Sequence, residues 1–199
     1  MLNGKIDSNV EVLNTLNEKY KWIPSGNNIR PLPDVKNKKI EDLNNVGAFY
    51  VSMRDYLVET IFNIQPEINT DGKCFIKDLP EKLNNLFESK LLLNKYPYDV
   101  PDNTKHYILW YPMLLRNETL SDEKITMDIK RHLMNNNILQ NNDNDNNTII
   151  INNQDHQEKR DILILNNHDN EDIEFVWYVN PKMTCPELFH VQVFAHHKV

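Results

Sequence analysis

The chain has 199 residues, 40% of them hydrophobic, and a formal net charge of −7. A chain of this length predicts one domain that can bury a core. The acidic balance argues against a nucleic-acid partner, because phosphate binding requires clustered Lys and Arg; a local basic patch at Lys36, Lys38 and Lys39 stays open. We expect no membrane partner, since no apolar run reaches ~18 residues.

The first half of the chain is predicted to be helical. Ser8-Asn9-Val10-Glu11 has the pattern of a capping box and predicts a helix that ends near Trp22. Proline and glycine predict an irregular surface segment over 23–40. Apolar residues at helical spacing then predict a second helix over 42–64 and a third over 79–92, with Phe87 facing inward.

The two cysteines, Cys74 and Cys185, lie far apart and belong to no CxxC pattern. They predict neither a disulfide nor a metal site. Together with the lack of an apolar leader after Met1, they favour a reduced, cytoplasmic protein. We expect no cofactor.

The second half of the chain is predicted to be rich in strands. His106–Tyr111 reads as a strand closed by Pro112, and Ser121 is predicted to cap a helix that continues to 134. Residues 135–157 contain ten asparagines and predict a disordered insertion. Further strands are predicted at 148–151, 161–165, 173–179 and 188–195.

Helices that precede strands in this way predict an α+β fold, with N-terminal helices packed on one face of a mostly antiparallel C-terminal sheet. We expect a single domain over residues 1–199. Its predicted parts are an N-terminal helix and irregular segment (1–41), a core (42–134 and 158–199) and the Asn-rich insertion (135–157).

A polar face on the C-terminal strand is the best candidate for a site. By strand alternation His190, Gln192 and Phe194 share one face, and His106 begins another predicted strand. If the two strands pair, both imidazoles could line one cleft and serve in acid–base chemistry or phosphate contact. A lone strand histidine is more often a hydrogen-bonded structural residue, so both interpretations stay open.

Other residues are weaker candidates. Trp110 and Tyr107 are core aromatics or a stacking wall for a ligand, and Asn180 marks a turn or contacts a ligand. His196 and His197 are predicted to be a surface pair, because no ligand spacing supports a metal site. The sequence contains no P-loop, GxGxxG, GxSxG or HExxH pattern.

Several segments resemble the family of the fungal N-acetylglucosamine-induced protein 1. Leu93–Val100 followed by His106–Trp110 resembles its signature "NDWPYG…I.H.VVW". Val179–Val193 resembles its closing "NP..L.S…..HFHV", and Arg54–Leu57 its helical "DYL". The resemblance implies a shared fold, and the name of the family suggests an amino-sugar ligand.

A second, weaker resemblance is to the histidine-triad nucleotide-binding proteins. A strand that ends at Pro112, a helix over 121–134 and a closing strand at His190 follow the order of that family. Its closing His-x-His-x-His is represented here by His190, Gln192 and Phe194. The resemblance implies phosphate or sugar binding rather than hydrolysis, because an amide cannot replace imidazole as a nucleophile.

Two functional hypotheses follow. In the first, the chain binds a nucleotide, nucleotide sugar or amino sugar in a cleft lined by strand histidines. His106 and His190 would then act as an acid, as a base or as hydrogen-bond donors to a phosphate. The ligand would contact Gln192, Trp110, Tyr107 and Asn180. In the second, it is a non-catalytic interaction or regulatory module that docks on a protein partner through its helical half. A concave site favours the first, and a flat apolar patch favours the second.

Overall fold

The computed structural model describes residues 8–25, 31–114, 120–142, 173–180 and 183–198. The helices are α1 (Ser8–Lys19), α2 (Pro33–Phe49), α3 (Met53–Phe62), α4 (Leu79–Asn84) and α5 (Asp122–Asn142). The strands are β1 (Glu67–Ile68), β2 (Cys74–Phe75), β3 (Lys90–Leu93), β4 (Thr104–Trp110), β5 (Ile173–Tyr178) and β6 (His190–His197). The predicted α+β fold class is confirmed.

A four-stranded antiparallel sheet with the order β3-β4-β6-β5 organises the fold. Strands β4 and β6 are its centre, with His106 opposite Phe194 and Trp110 opposite His190. Because side chains alternate along a strand, this register places His106, Trp110, His190 and Gln192 on one face of the sheet.

Helices cover both faces of the sheet, whereas the sequence predicted helices on one face only. Helix α5 packs Ile125 and Ile129 against Leu109 and Val191 on one face. On the other face, α3 and α4 pack around Trp110, and α1 packs at the opposite end. The central strands are buried on both faces, as strands with helices on each side must be.

The single helix predicted over 42–64 is wrong, because the chain forms two helices there. Helix α2 begins at Pro33, inside the segment predicted to be irregular, in a position where proline suits a first helical turn. It ends at Phe49, and α3 begins with a new cap: the Ser52 hydroxyl accepts the backbone N–H of Asp55 at 3.1 Å.

The third predicted helix, over 79–92, is also wrong. Helix α4 ends at Asn84, and Leu91 lies in strand β3 opposite Leu109. Burial of that leucine in the sheet overrides its helical spacing from the residues before it. Phe87, expected to face inward, lies between the two elements and is 90% exposed.

The elements that follow agree more closely with the sequence. Ser121 caps α5, since its hydroxyl accepts the backbone N–H of Lys124 at 3.2 Å, and the helix continues to Asn142 rather than ending at 134. The remainder of the predicted insertion and the strands predicted at 148–151 and 161–165 lie outside the described residues. None of the helices in the described ranges is long and apolar enough to span a membrane.

Candidate functional site

A cavity of about 590 Å³ lies between helices α2 and α3 on one side and strands β4 and β6 on the other. Its size is within the range of small-molecule sites. Its walls are mainly apolar, and a smaller set of polar side chains also lines it, among them Lys39, Asp42, Asn94, Lys95, Asn180, Thr184, His190 and Gln192. We call the part formed by Trp110, His190 and Gln192 the strand wall.

His190 contributes a neutral imidazole to the strand wall. Its Nδ1 lies 2.8 Å from the carbonyl oxygen of Leu188, and because a carbonyl only accepts, Nδ1 carries the proton. Burial lowers the pKa of His190, which favours the neutral ring. The ring packs 4.3 Å from that of Trp110 between centroids. Its second nitrogen, Nε2, therefore has a lone pair for a ligand.

His106 is buried behind the strand wall and does not line the cavity. The backbone N–H of Tyr98 donates to its Nδ1 at 3.1 Å, so the proton lies on Nε2, which is 2.6 Å from Oε1 of Gln192. Burial lowers the pKa of His106 to about 4. The two histidines thus share a sheet face, but only His190 reaches the cavity, and the contacts of His106 are those of a structural residue.

Gln192 connects the buried histidine to the cavity. Its oxygen accepts from His106, while its amide nitrogen has no hydrogen-bond partner among the described residues. The residue is 5% exposed and lines the cavity. A donor without a partner at the cavity surface is available to a ligand.

The other predicted ligand contacts divide between the two faces. Trp110 and Asn180 line the cavity. Tyr107 lies on the opposite face, in the core cluster that α5 covers, and does not line the cavity. The register explains this result, because Tyr107 pairs with Val193 and therefore points away from the strand wall.

The sequence did not single out Lys39 as a site residue. Its Nζ lies 3.1 Å from Oγ1 of Thr184 and 5.9 Å from the ring centre of Tyr96. Among the described residues, no carboxylate forms an ion pair with Lys39. Burial lowers the pKa of Lys39, as desolvation of an uncompensated ammonium requires. The sequence feature that could have indicated Lys39 as a site residue is the basic cluster of Lys36, Lys38 and Lys39.

Asp42 joins helix α2 to the loop after β3 at the edge of the cavity. Its carboxylate accepts from Lys95 at 2.8 Å and from the Tyr96 hydroxyl at 2.8 Å, and Lys38 lies 3.3 Å away. These donors, Lys95 first, lower the pKa of Asp42 to about 2. Two lysines line the cavity, and Lys95 is paired with Asp42. Lys39 has no carboxylate partner among the described residues.

The C-terminal histidines lie away from the cavity. His196 stacks on Trp22 with 4.9 Å between ring centroids and hydrogen-bonds the Thr104 hydroxyl at 2.9 Å. Within the described part of the chain, no group of three or more His, Cys, Asp or Glu residues could hold a metal ion.

No family model matches the chain, and no curated protein matches it. A solved structure titled "Crystal Structure of HTC1" is similar to it with a TM-score of 0.41 and 14% sequence identity. That similarity covers 94% of this chain and 82% of the other. The two family resemblances noted in the sequence therefore stay predictions.

Proposed function

We propose that the chain binds a nucleotide or nucleotide sugar in the cavity, with a flat ring at the strand wall and a phosphate near Lys39. The observation that carries the proposal is that an imidazole, a primary amide and an ammonium without a carboxylate partner converge on one cavity of about 590 Å³. Apolar cavities with a few convergent polar groups are the usual form of a ligand site.

The strand wall suits a planar, partly apolar ligand group. Trp110 and His190 pack together there, and apolar side chains such as Val46 and Leu57 line the opposite side. An amino sugar alone carries hydroxyl groups around its whole ring, and burying them against apolar walls without partners is unfavourable. A ligand that contains a nucleobase is therefore preferred over an amino sugar alone.

The surroundings of Lys39, in contrast to the strand wall, favour a charged ligand group. An ammonium that is half-buried and lacks a carboxylate partner among the described residues is stabilised by an incoming anion. The Thr184 hydroxyl, 3.1 Å from its Nζ, is exposed and can donate to the same anion. A phosphate group could pair with the Lys39 ammonium and accept from the Thr184 hydroxyl.

His190 gives the proposed site a chemical role as well as a binding role. A neutral imidazole near pH 7 can accept a proton from a ligand hydroxyl or from water. The test for binding should therefore include a test for turnover.

The experiment is calorimetric titration and thermal shift with nucleoside monophosphates, uridine diphosphate sugars, N-acetylglucosamine and N-acetylglucosamine 6-phosphate. Native protein, His190→Ala and Phe87→Ala are compared, and product analysis follows any ligand that binds. Stabilisation of the native protein that is lost in His190→Ala and kept in the control Phe87→Ala supports the proposal. Folded native protein that binds none of these compounds contradicts it.

A second candidate function is a protein-interaction module that docks through the helical half. The observation in its favour is the exposure of large apolar side chains on and beside α2, among them Phe49 (67%) and Val51 (54%). Val51 does not line the cavity. Loss of a stoichiometric partner in Val51→Asp, together with unchanged ligand binding, would favour this function over the first.

A further inference from the structure

We infer that the strand wall presents a hydrogen-bond donor at Gln192 and an acceptor at His190, and selects a nucleobase whose edge carries an acceptor and a donor. The inference rests on the proposed function and adds the pattern that the ligand must match. In it, His106 is a positioning residue that fixes the orientation of the Gln192 amide.

The pattern starts from a backbone group that cannot change its role. The N–H of Tyr98 points at Nδ1 of His106 over 3.1 Å, and a backbone N–H can only donate. Nδ1 must therefore be the unprotonated nitrogen of the ring. A neutral imidazole then carries its proton on Nε2, and burial keeps the ring neutral by lowering its pKa to about 4.

The orientation of the Gln192 amide follows from that tautomer. Nε2–H of His106 needs an acceptor, and the atom 2.6 Å away is therefore the amide oxygen of Gln192. Rotation of the amide by half a turn would place an NH₂ group against an N–H and leave two buried donors in conflict. The NH₂ group of Gln192 is consequently held in the orientation that leaves it for the ligand.

His190 acquires the opposite polarity by an independent contact. The carbonyl of Leu188 accepts from its Nδ1 at 2.8 Å, so the free nitrogen of the ring is an acceptor. Gln192 and His190 are alternate residues of β6 on one face, which separates their backbones by about 7 Å. Their side chains can therefore present the donor and the acceptor to one edge of a planar ligand.

This arrangement defines a ligand class. The adenine edge, for example, carries the ring acceptor N1 and the exocyclic amino donor side by side, which complements a donor and an acceptor. A purine without the exocyclic amino group keeps the acceptor and loses the donor. Such a ligand would leave the His190 lone pair without a partner in a buried site.

The hydrogen-bond chain can be tested without any ligand. Long-range ¹H–¹⁵N NMR spectra at pH 7 report which nitrogen of each imidazole carries the proton. We expect opposite tautomers, with Nε2–H for His106 and Nδ1–H for His190. A charged His106, or the same tautomer in both rings, would overturn the inference.

Selection is tested with two probes of equal size and charge, adenosine 5′-monophosphate and purine riboside 5′-monophosphate. Native protein should bind the second at least about tenfold more weakly, because a buried acceptor is left unpaired. In His190→Phe, which keeps a flat ring beside Trp110 but has no acceptor, the difference should disappear. In Gln192→Glu, which replaces the donor with a carboxylate oxygen, both probes should weaken alike.

Equal binding of the two probes to native protein would overturn the selection. Failure of both to bind would remove the selection of a nucleobase together with the proposed function, whereas the NMR result would still decide whether the hydrogen-bond chain exists. Unchanged Kd values in folded Gln192→Glu would show that the amide does not face the ligand.

Discussion

His106 donates its Nε2 proton to the side-chain oxygen of Gln192 over 2.6 Å, between positions 86 residues apart in the sequence. His106 is thus engaged in a contact within the sheet, whereas His190 lines the cavity. This contact also explains why two histidines on the same face of paired strands have different roles. His106 lies opposite Phe194 and His190 opposite Trp110, so the two rings have different neighbours, and only His190 lines the cavity.

The stability of the protein should fall between pH 6.5 and pH 4. Burial lowers the pKa of His106 from 6.5 to about 4, so in this window the unfolded chain binds a proton that the folded chain does not. Unfolding is therefore favoured as the pH falls, by up to about 3 kcal/mol from this group. His132 and His190, whose pKa values burial also lowers, act in the same direction. Urea unfolding at a series of pH values measures the slope.

The matched variant for this slope is His106→Asn, whose side-chain oxygen can still accept from Tyr98. It should be less stable than native protein at pH 7, by about 1–3 kcal/mol for the altered buried contacts. Its stability should nevertheless depend less on pH between 6.5 and 4. An unchanged slope in the variant would show that His106 is not the group responsible.

Replacement of Lys39 with glutamine should weaken the binding of phosphate-bearing ligands by about tenfold or more, since a half-buried charge-assisted contact is lost. Lys36→Gln, an exposed position on the same helix, is the control and should change the Kd little. Calorimetric titration of the two variants at low and moderate salt makes the comparison. Equal losses in both variants would indicate general electrostatic attraction rather than a phosphate contact.

Two aromatic residues of β4 offer a test of which sheet face carries the site. Tyr107 faces α5 and Trp110 faces the cavity. Tyr107→Phe should leave ligand binding unchanged, whereas Trp110→Phe should weaken it severalfold through the loss of ring area beside His190. Titration of both variants with one ligand compares their Kd values. Weaker binding in Tyr107→Phe would indicate that the ligand binds on the face covered by α5, which would contradict the proposed site.

The two cysteines should differ in reactivity. Burial raises the pKa of the Cys185 thiol to about 12, which leaves very little thiolate near neutral pH. Cys74 is half-buried rather than buried. Native protein should therefore react with one equivalent of a thiol reagent at pH 7.5, at Cys74, and with a second only on unfolding, as mass spectrometry of the labelled peptides can verify. Rapid labelling of Cys185 in native protein would contradict its burial.

The errors of the sequence interpretation have two causes, one long-range and one local. Leu91 follows its helical neighbours at helical spacing, yet it pairs with Leu109 in the sheet, because contacts with a distant strand outweigh local preference. The break between α2 and α3 instead depends on a local cap formed by Ser52 and Asp55, which apolar spacing does not reveal.

The sequence by itself determined the α+β class and the polar face of the last strand, because strand alternation is a local property with a period of two residues. It thereby placed His190 and Gln192 together. Only the tertiary structure decided that His106 is buried and Tyr107 faces away, and that Lys39 reaches Thr184, 145 residues further along the chain. Burial, tautomer and charge pairing depend on contacts between segments distant in sequence, and no local pattern encodes them.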